Sequence, residues 1–338
     1  MDVRWGVTFD GTPGAALADC LRAAIAAPSL HNSQPWRFRA HDGRIDVLAD
    51  RARQLTRLDP AGRELTISAG AALLNLRVAM LARGRLPLSQ LLPASTEPDL
   101  LATVFAGPRA KGSETARQLD RAIPHRHTNR RPFRDVAVPP EVVDELAAAA
   151  RTEGGDLTIL APDLRDPVFD IVRIAECRRR EDPAYLAELE RWTRGESGGC
   201  DGVPQAAFGP WPVLESVPLR DFGLVHPARR REAVRFEQEP TVVVLHTAGD
   251  GVRDWLHAGQ ALERTLLTAT LRGVATTLMT QPLEIPELRL LLDEQVAGRS
   301  VQAIVRLGYG PPSAPSPRRP LADVLVGTPA MARIAGSS

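Results

Sequence analysis

Two segments of this chain carry the same hydrophobic pattern of an amphipathic helix. Residues 69–84 and 258–273 place apolar side chains three and four positions apart, as at Ala258, Leu262 and Leu266, the spacing of one buried helical face. Six of the sixteen aligned positions are identical. Each segment ends in glycine, the residue that most easily closes a helix in the left-handed conformation. The pattern therefore predicts two related core helices and an internal repeat with an offset of 189 positions.

Predicted strands surround both helices. Apolar runs predict strands at residues 44–49 and 101–105 around the first helix, and at 157–160 and 301–307 around the second. We expect the strand at 157–160 to be the counterpart of the one at 44–49. The run at 241–245 is typical of a fully buried strand. Two unrelated helices in so Ala- and Leu-rich a chain could share six identities, but the matching surroundings favour a true repeat.

The repeat predicts how the chain is divided. We expect the first repeat over residues 15–115 and the second over 120–326, followed by a tail at 327–338. The stretch 195–222 holds many Gly and Pro residues and little periodicity. A loop of that length within a compact domain is usually a lid, a binding loop or a disordered segment.

Composition and charge exclude several classes of function. The chain has 338 residues, 43 % of them apolar and 25 % charged, and a net charge of +1, which does not favour nucleic acid or anionic lipid as a partner. Three widely separated cysteines predict neither a disulfide framework nor a metal cluster. Residues 1–4 include an acid and begin no apolar run, so we expect no signal peptide. We expect no apolar run long enough to span a membrane, and we therefore expect a cytoplasmic protein.

Residues 28–36, Pro-Ser-Leu-His-Asn-Ser-Gln-Pro-Trp, directly follow an Ala-rich helical run. Pro28 ends the helix, and Ser29 and Asn32 bring hydrogen-bonding groups to a tight turn. Gln34 adds an amide that both donates and accepts, beside the aromatic Trp36. A helix stop with a buried Trp is the plainer interpretation. The segment also resembles the P-S-x-x-N-x-Q-P-W motif of nitroreductase-type flavoproteins, which implies that it lies along a bound FMN.

A second motif opens the other half of the chain. The run Arg126-His127-Thr128-Asn129-Arg130-Arg131-Pro132-Phe133 resembles the Arg-x-Ser-x-Arg/Lys opening of nitroreductases. Thr128 replaces the usual Ser, and one extra residue precedes Phe133. An exposed basic loop is the alternative for such an arginine cluster. A following Val-Pro-Pro-Glu helix start, which is common in the family, favours the resemblance.

Each half lacks the motif that the other half carries. In nitroreductases two identical subunits build two FMN sites at their interface, each from one motif of each subunit. The resemblance therefore implies an α+β fold of two tandem nitroreductase-type repeats in one chain, mimicking a nitroreductase homodimer with one flavin site. That architecture resembles the Acg branch of nitroreductase-like proteins. It implies a monomer, because the fusion already buries the dimer surface.

The resemblance also implies the cofactor-binding residues. Arg126 and Thr128, with one or both of Arg318 and Arg319, are expected to hold the FMN phosphate, because arginine grips phosphate through two parallel hydrogen bonds. Arg130 matches a family cation near the ribityl chain and the flavin ring, where a positive charge would favour the reduced flavin. The remaining expected contacts come from the loop residues Leu278, Met279, Thr280 and Gln281 and from Pro28, Ser29, Leu30, Asn32 and Gln34.

The implied function is an FMN-dependent oxidoreductase that transfers hydride from NAD(P)H to a small acceptor of the nitroaromatic or quinone type. Two alternatives remain: an FMN-sequestering or sensor protein without turnover, and a flavin dehydrogenase acting on a peptide or secondary metabolite. No side chain is assigned as catalytic, because flavin chemistry requires no dedicated acid or base.

Three other patterns are set aside. The Gly-x-Ser-x-Gly match at residues 195–199 lacks the preceding strand of a hydrolase elbow. His125 and His127 have no third ligand at metal spacing, so we expect no metal site. The arginines at 229–231 are expected to form a solvated face.

Overall fold

The computed structural model describes most of the chain. Its ranges are residues 15–41, 43–111, 113–193, 199–214, 216–227, 231–296 and 299–327. Residues 1–4, residues 195–198 of the hydrolase-like pattern, Arg229, Arg230 and the tail beyond Gly327 lie outside these ranges.

The first half forms an antiparallel sheet packed against helices. Its elements are α1 (Ala15–Ile25), β1 (Trp36–His41), β2 (Arg44–Ala49), α2 (Arg63–Ala82), β3 (Arg85–Leu91), β4 (Leu100–Arg109) and α3 (Glu114–Ala122). The strands lie in the order β1-β2-β4-β3, and each neighbouring pair is antiparallel. The strand predicted at 44–49 has its predicted bounds, because Ile45 and Val47 are fully buried in the core.

The second half forms another antiparallel sheet. Its elements are α4 (Pro140–Arg151), β5 (Asp156–Ile159), α5 (Pro162–Arg180), α6 (Pro183–Arg191), β6 (Trp211–Pro212), β7 (Ala233–Val234), β8 (Thr241–Thr247), α7 (Val252–Leu271), β9 (Ala275–Leu278), α8 (Pro286–Gln295), β10 (Ser300–Gly308) and α9 (Leu321–Val324). The strand order is β5-β8-β10-β9, again antiparallel throughout. The short β6 and β7 pair with each other outside this sheet.

The two sheets have the same connectivity. In each, the second strand leads into a long helix and then into the edge strand, so that β2-α2-β3-β4 corresponds to β8-α7-β9-β10. The strand at 157–160 is therefore not the counterpart of the one at 44–49, as the sequence suggested; β5 takes the edge position of β1. A long insertion separates β5 from β8; it consists of α5, α6 and the loop 195–222. Because of this insertion, the order of elements along the chain does not show that β8 is the counterpart of β2.

The long helices α2 and α7 cross at a pair of glycines. A Cβ atom on Gly70 would lie 2.5 Å from the Leu256 carbonyl oxygen, and one on Gly259 would lie 2.0 Å from the Ile67 carbonyl oxygen. Gly259 and Leu256 stand 189 positions after Gly70 and Ile67, respectively. The contact is therefore reciprocal, as across a two-fold axis. Only glycine permits the two backbones to approach this closely.

Helix α2 is the buried centre of the molecule. By length and composition it could cross a membrane, which corrects the expectation that no apolar run reaches that length. Within the molecule, 83 % of its most apolar window is buried. The helix packs against both α1 and α7, which explains its apolar composition as that of a core helix.

The C-terminal segment returns to the first half. Leu321 and Val324 of α9 belong to the core cluster that contains Trp36 and Phe38. The Val326 N–H donates to the Phe38 carbonyl oxygen at 2.9 Å. This path carries the preceding arginines, 318 and 319, to the end of α1.

The described part of the loop 195–222 is packed in place. Val203, Phe208 and Phe222 form an apolar cluster with Tyr185 and Leu189 of α6. A loop held by its own buried side chains keeps a defined position over its neighbours.

Candidate functional site

The turn after α1 holds a strained backbone. His31, Asn32 and Gln34 have φ angles of 51°, 54° and 50°. They are three of the four non-glycine residues with positive φ in the described ranges, and such residues concentrate at functional sites. The Ser29 hydroxyl accepts the Gln34 N–H at 2.9 Å and closes the turn. The sequence predicted this turn but not its strain.

The two motif amides hold the turn against distant segments. The Asn32 Nδ2 donates to the carbonyl oxygens of Gly202 and Pro317, each at 3.0 Å. The Gln34 Nε2 donates to the Cys200 carbonyl oxygen at 2.8 Å, and its Oε1 accepts the Arg319 N–H at 2.8 Å. These amides therefore join the turn to the loop 195–222 and to the C-terminal segment.

A cavity lies beside this turn, between the two halves of the chain. Ten of the fourteen predicted cofactor-binding residues line it: Pro28, Ser29, Leu30, Asn32, Arg126, Thr128, Arg130, Leu278, Thr280 and Arg318. The structure thus brings together the motifs of both halves, which are about a hundred residues apart or more in the sequence.

Four predicted residues do not line this cavity. Met279 is fully buried in the core, and Gln281 is buried with no hydrogen-bond partner for its amide among the described residues. The Gln34 amide is occupied by its hydrogen bonds to the backbone of Cys200 and Arg319. Arg319 points away from the cavity. Its Nη1 lies 3.4 Å from the Asp50 Oδ2, and its Nη2 donates to the Asp323 carbonyl oxygen at 2.7 Å. Of the two C-terminal arginines, it is Arg318 that faces the cavity.

Two buried guanidinium groups share one carboxylate at the end of the cavity. The Arg126 Nε lies 3.4 Å from Oε1 of Glu263, a side chain that is itself fully buried. Burial lowers the pKa of Arg318 to about 9, and the neighbouring Arg126 adds to this effect. Burial raises the pKa of Glu263 to about 7 despite the attraction of Arg126. The cluster therefore carries excess positive charge in a dry environment, which favours an anionic ligand.

Arg130 is a second buried cation. Its Nη1 donates to the Ala207 carbonyl oxygen at 2.8 Å, and its guanidinium carbon lies 4.5 Å from the centroid of the Phe222 ring. No described carboxylate forms an ion pair with it. Burial, followed by repulsion from Arg220, lowers the pKa of Arg130 to about 10. A buried guanidinium without a carboxylate is costly unless a ligand neutralises it.

His31 is a cavity residue that the sequence analysis missed. It is 4 % exposed, and neither ring nitrogen has a hydrogen-bond partner within the described structure. Its ring meets Phe222 edge-on, with 5.2 Å between centroids. Burial lowers its pKa well below the ordinary value, and Arg220 and Arg130 add to the shift. The imidazole is therefore neutral, with one donor and one acceptor available to a ligand. The sequence feature that could have identified His31 is its position inside the motif at residues 28–36.

Arg220, from the loop 195–222, was also missed. It forms a buried ion pair with Glu284 and donates to the Tyr185 hydroxyl at 3.2 Å and to the Thr280 Oγ1 at 3.3 Å. Burial acts to lower its pKa, but the attraction and hydrogen bond of Glu284, together with the attraction of Tyr185 and Glu176, outweigh burial and raise the pKa. Arg220 therefore stays charged and fastens the loop to the wall of the cavity. A Gly- and Pro-rich segment gives no periodic signal that would single it out.

The structure bears on two of the patterns set aside above, the metal-ligand pattern and the arginines at 229–231. Among the described residues no group of three or more His, Cys, Asp and Glu side chains could hold a metal ion. Arg231 does not lie on a solvated face as expected. It donates to Asp221 at 2.6 Å and packs over the Trp211 ring, and its side chain is largely buried.

Sequence comparison identifies relatives of the whole chain. No family model matches it. A Mycobacterium tuberculosis protein named "Putative NAD(P)H nitroreductase acg" is 32 % identical over 317 residues, covering 91 % of this chain and 94 % of that protein. The uncharacterized protein Rv3127 of the same organism is 34 % identical over 319 residues, covering 91 % and 92 %.

Solved structures of nitroreductases are more distant. The FMN- and NADPH-dependent nitroreductase NfnB from a Sphingopyxis strain is 14 % identical, covers 62 % of this chain and 98 % of its own, and has a TM-score of 0.40. NfnB from Mycobacterium smegmatis, solved with NADPH, is 14 % identical, with coverage of 64 % and 100 % and a TM-score of 0.39. By its relatives in M. tuberculosis, the chain belongs to the nitroreductase-like family that contains Acg. The family predicted from the sequence motifs is confirmed.

Proposed function

We propose that the cavity binds one FMN and that the protein is an FMN-dependent oxidoreductase. It would transfer hydride from NAD(P)H to a small acceptor of the nitroaromatic or quinone type. The observation that carries this proposal is the convergence of ten predicted cofactor-binding residues, from both halves of the chain, on one cavity.

The proposal includes a fused-dimer architecture, with repeats at residues 15–115 and 120–326. Three observations support it. The two sheets have the same strand order. Helices α2 and α7 occupy the same place in each half. Their glycine contact is reciprocal at positions that the repeat relates, as in a symmetric dimer interface. A chain that already contains this interface is expected to be monomeric.

The buried cations fit the phosphate of FMN. Arg126 and Arg318 share the single carboxylate of Glu263, so a phosphate would neutralise their excess charge. The Nε of each guanidinium also lacks a hydrogen-bond acceptor among the described atoms. Thr128, with its hydroxyl, lines the same cavity. Charge-assisted hydrogen bonds from arginine to phosphate are among the strongest that proteins make.

The remaining polar groups fit the flavin ring. His31 has two unpartnered ring nitrogens, one a donor and one an acceptor, and Arg130 has no described carboxylate partner, so a ligand ring with carbonyl acceptors and an N–H donor would satisfy both residues. The Met279 N–H is already used, because it donates to the Ile304 carbonyl oxygen at 3.0 Å. A backbone donor to the ring must therefore come from elsewhere in the loop at residues 278–281. Bound FMN would supply the hydride chemistry that no side chain provides.

One FMN is expected rather than two because each half carries one motif. The turn at 28–36 has no counterpart after α4, where the chain reads Arg-Thr-Glu-Gly-Gly at residues 151–155. The basic opening at 126–133 has no counterpart before α1. The place that the repeat would make equivalent to the FMN cavity would therefore lack both the strained turn and the arginine cluster.

A sequestering protein without turnover remains the second candidate, and one observation favours it. Leu219, Arg220 and Phe222 of the loop form a wall of the cavity. The Arg220–Glu284 ion pair fastens this wall in place. If the wall does not open, hydride donors and acceptors cannot reach a bound flavin.

Anaerobic reduction by NADPH tests enzyme against sequestration. We expect the yellow flavin absorbance of the holoprotein to bleach on addition of NADPH and to return when a quinone is added. Dithionite serves as the control, because it reduces bound flavin without a nucleotide site. Bleaching by dithionite but by neither NADPH nor NADH would contradict the oxidoreductase and support sequestration.

A further inference from the structure

A second cavity lies on the other side of the loop wall. It shares Arg130, Leu219 and Arg220 with the first cavity. The two cavities therefore adjoin at two guanidinium groups. None of the cofactor contacts proposed above uses the outer part of this second space.

The second cavity has a marked excess of positive charge. Five arginines and two carboxylates line it. The two carboxylates already have partners: Asp221 accepts a hydrogen bond from Arg231 at 2.6 Å, and Glu176 accepts the Asp221 N–H at 3.2 Å. Arg180, in the last turn of α5, makes no ion pair with a described residue. A cavity with this balance attracts anions, and arginine suits phosphate in particular.

An accessible aromatic ring lies in the same cavity. Trp211 is 46 % exposed although it lines the cavity. The Arg231 guanidinium lies 5.1 Å from its ring centroid and fixes its orientation. A half-exposed tryptophan held in place offers a flat surface for another aromatic group. The cavity therefore combines a stacking surface with a phosphate-binding charge.

We infer that the second cavity binds the phosphorylated adenosine end of NADPH. This rests on the proposed function, in which a pyridine nucleotide supplies hydride at the first cavity. The adenine ring would stack near Trp211, and Arg180 would contact the 2′-phosphate that distinguishes NADPH from NADH. The linking pyrophosphate would pass Arg130 and Arg220, where the cavities adjoin. NADPH is therefore the preferred donor over NADH.

Binding of adenosine 2′,5′-bisphosphate to the holoprotein, measured by calorimetry, tests this inference. This probe carries the phosphorylated end of NADPH without nicotinamide. We expect one site per chain, and we expect Arg180→Ala to weaken binding about tenfold or more, because it removes a charged hydrogen bond to phosphate. Trp211→Ala should also weaken binding, through the loss of stacking.

Arg178→Ala is the matched control. Arg178 is exposed in the same last turn of α5 and does not line the cavity, so its loss should leave affinity within about twofold. An equal loss in Arg178→Ala, or adenosine binding as tightly as the bisphosphate, would overturn the inference. No detectable binding at all would do the same. FMN content, measured on the same samples, separates this result from a failure of the proposed function.

Discussion

Gly259→Ala is expected to destabilise the protein by about 3 kcal/mol, the upper end of what overpacking costs. Its Cβ atom would lie 2.0 Å from the Ile67 carbonyl oxygen and 2.9 Å from the Gly70 Cα atom. Both are backbone atoms of α2, so no side chain can move aside, and the long helices must separate. The free energy of unfolding in urea measures the effect.

Gly273→Ala provides the comparison at the end of the same helix. Its φ is +66°, and no described atom lies within 4 Å of the added Cβ, so only backbone strain of about 1 kcal/mol is expected. Gly70→Ala should resemble Gly259→Ala, because its Cβ meets the Leu256 carbonyl oxygen. The double variant should lose less than the sum, since one separation of the helices relieves both collisions. Equal losses in Gly259→Ala and Gly273→Ala would contradict this packing.

Arg126→Ala is expected to have the largest effect on cofactor binding. It removes a buried charge-assisted contact and leaves the phosphate desolvated, at a cost of roughly 2–5 kcal/mol. At the midpoint of that range, FMN affinity falls by about two to three orders of magnitude. Titration of apoprotein with FMN, followed by flavin fluorescence, gives the two dissociation constants.

Arg131→Ala is the matched control from the same basic segment. Arg131 is exposed and does not line the cavity, so FMN affinity should be unchanged. Arg126 also donates to the Ala26 carbonyl oxygen at 3.0 Å, so thermal unfolding of both apoproteins must show that each is folded. If folded Arg126→Ala and Arg131→Ala bound FMN equally well, the segment would be only a basic loop.

Local patterns in the sequence predicted much of the fold. The strand at 44–49 has its predicted bounds, and the one at 301–307 lies within β10. These predictions succeeded because side-chain periodicity reports directly on burial. Arg126 and Arg318 could be grouped only through the family resemblance, because the Arg-Arg pair at 318–319 carries no signal of its own in the sequence. The position of β5 could not be predicted, because strand pairing depends on contacts across a long insertion.

The details of the cavity depend on long-range contacts that no local pattern reveals. The Gln34 amide is used by Arg319, 285 residues away, which leaves Arg318 to face the cavity. His31 stands at a variable position of its motif, and its importance emerges only from its burial and its unpartnered nitrogens. Arg220 lies in a segment without periodicity, and its partner Glu284 is 64 residues away.

The most direct test of the central claim is the number of FMN molecules bound per chain, measured together with the mass of the holoprotein in solution. Flavin released by denaturation is quantified against protein, and sedimentation gives the mass. If both halves build one site within one chain, the result is one FMN per chain in a monomer. Two FMN per chain, FAD in place of FMN, or an obligate dimer that loses FMN on dilution would contradict the account.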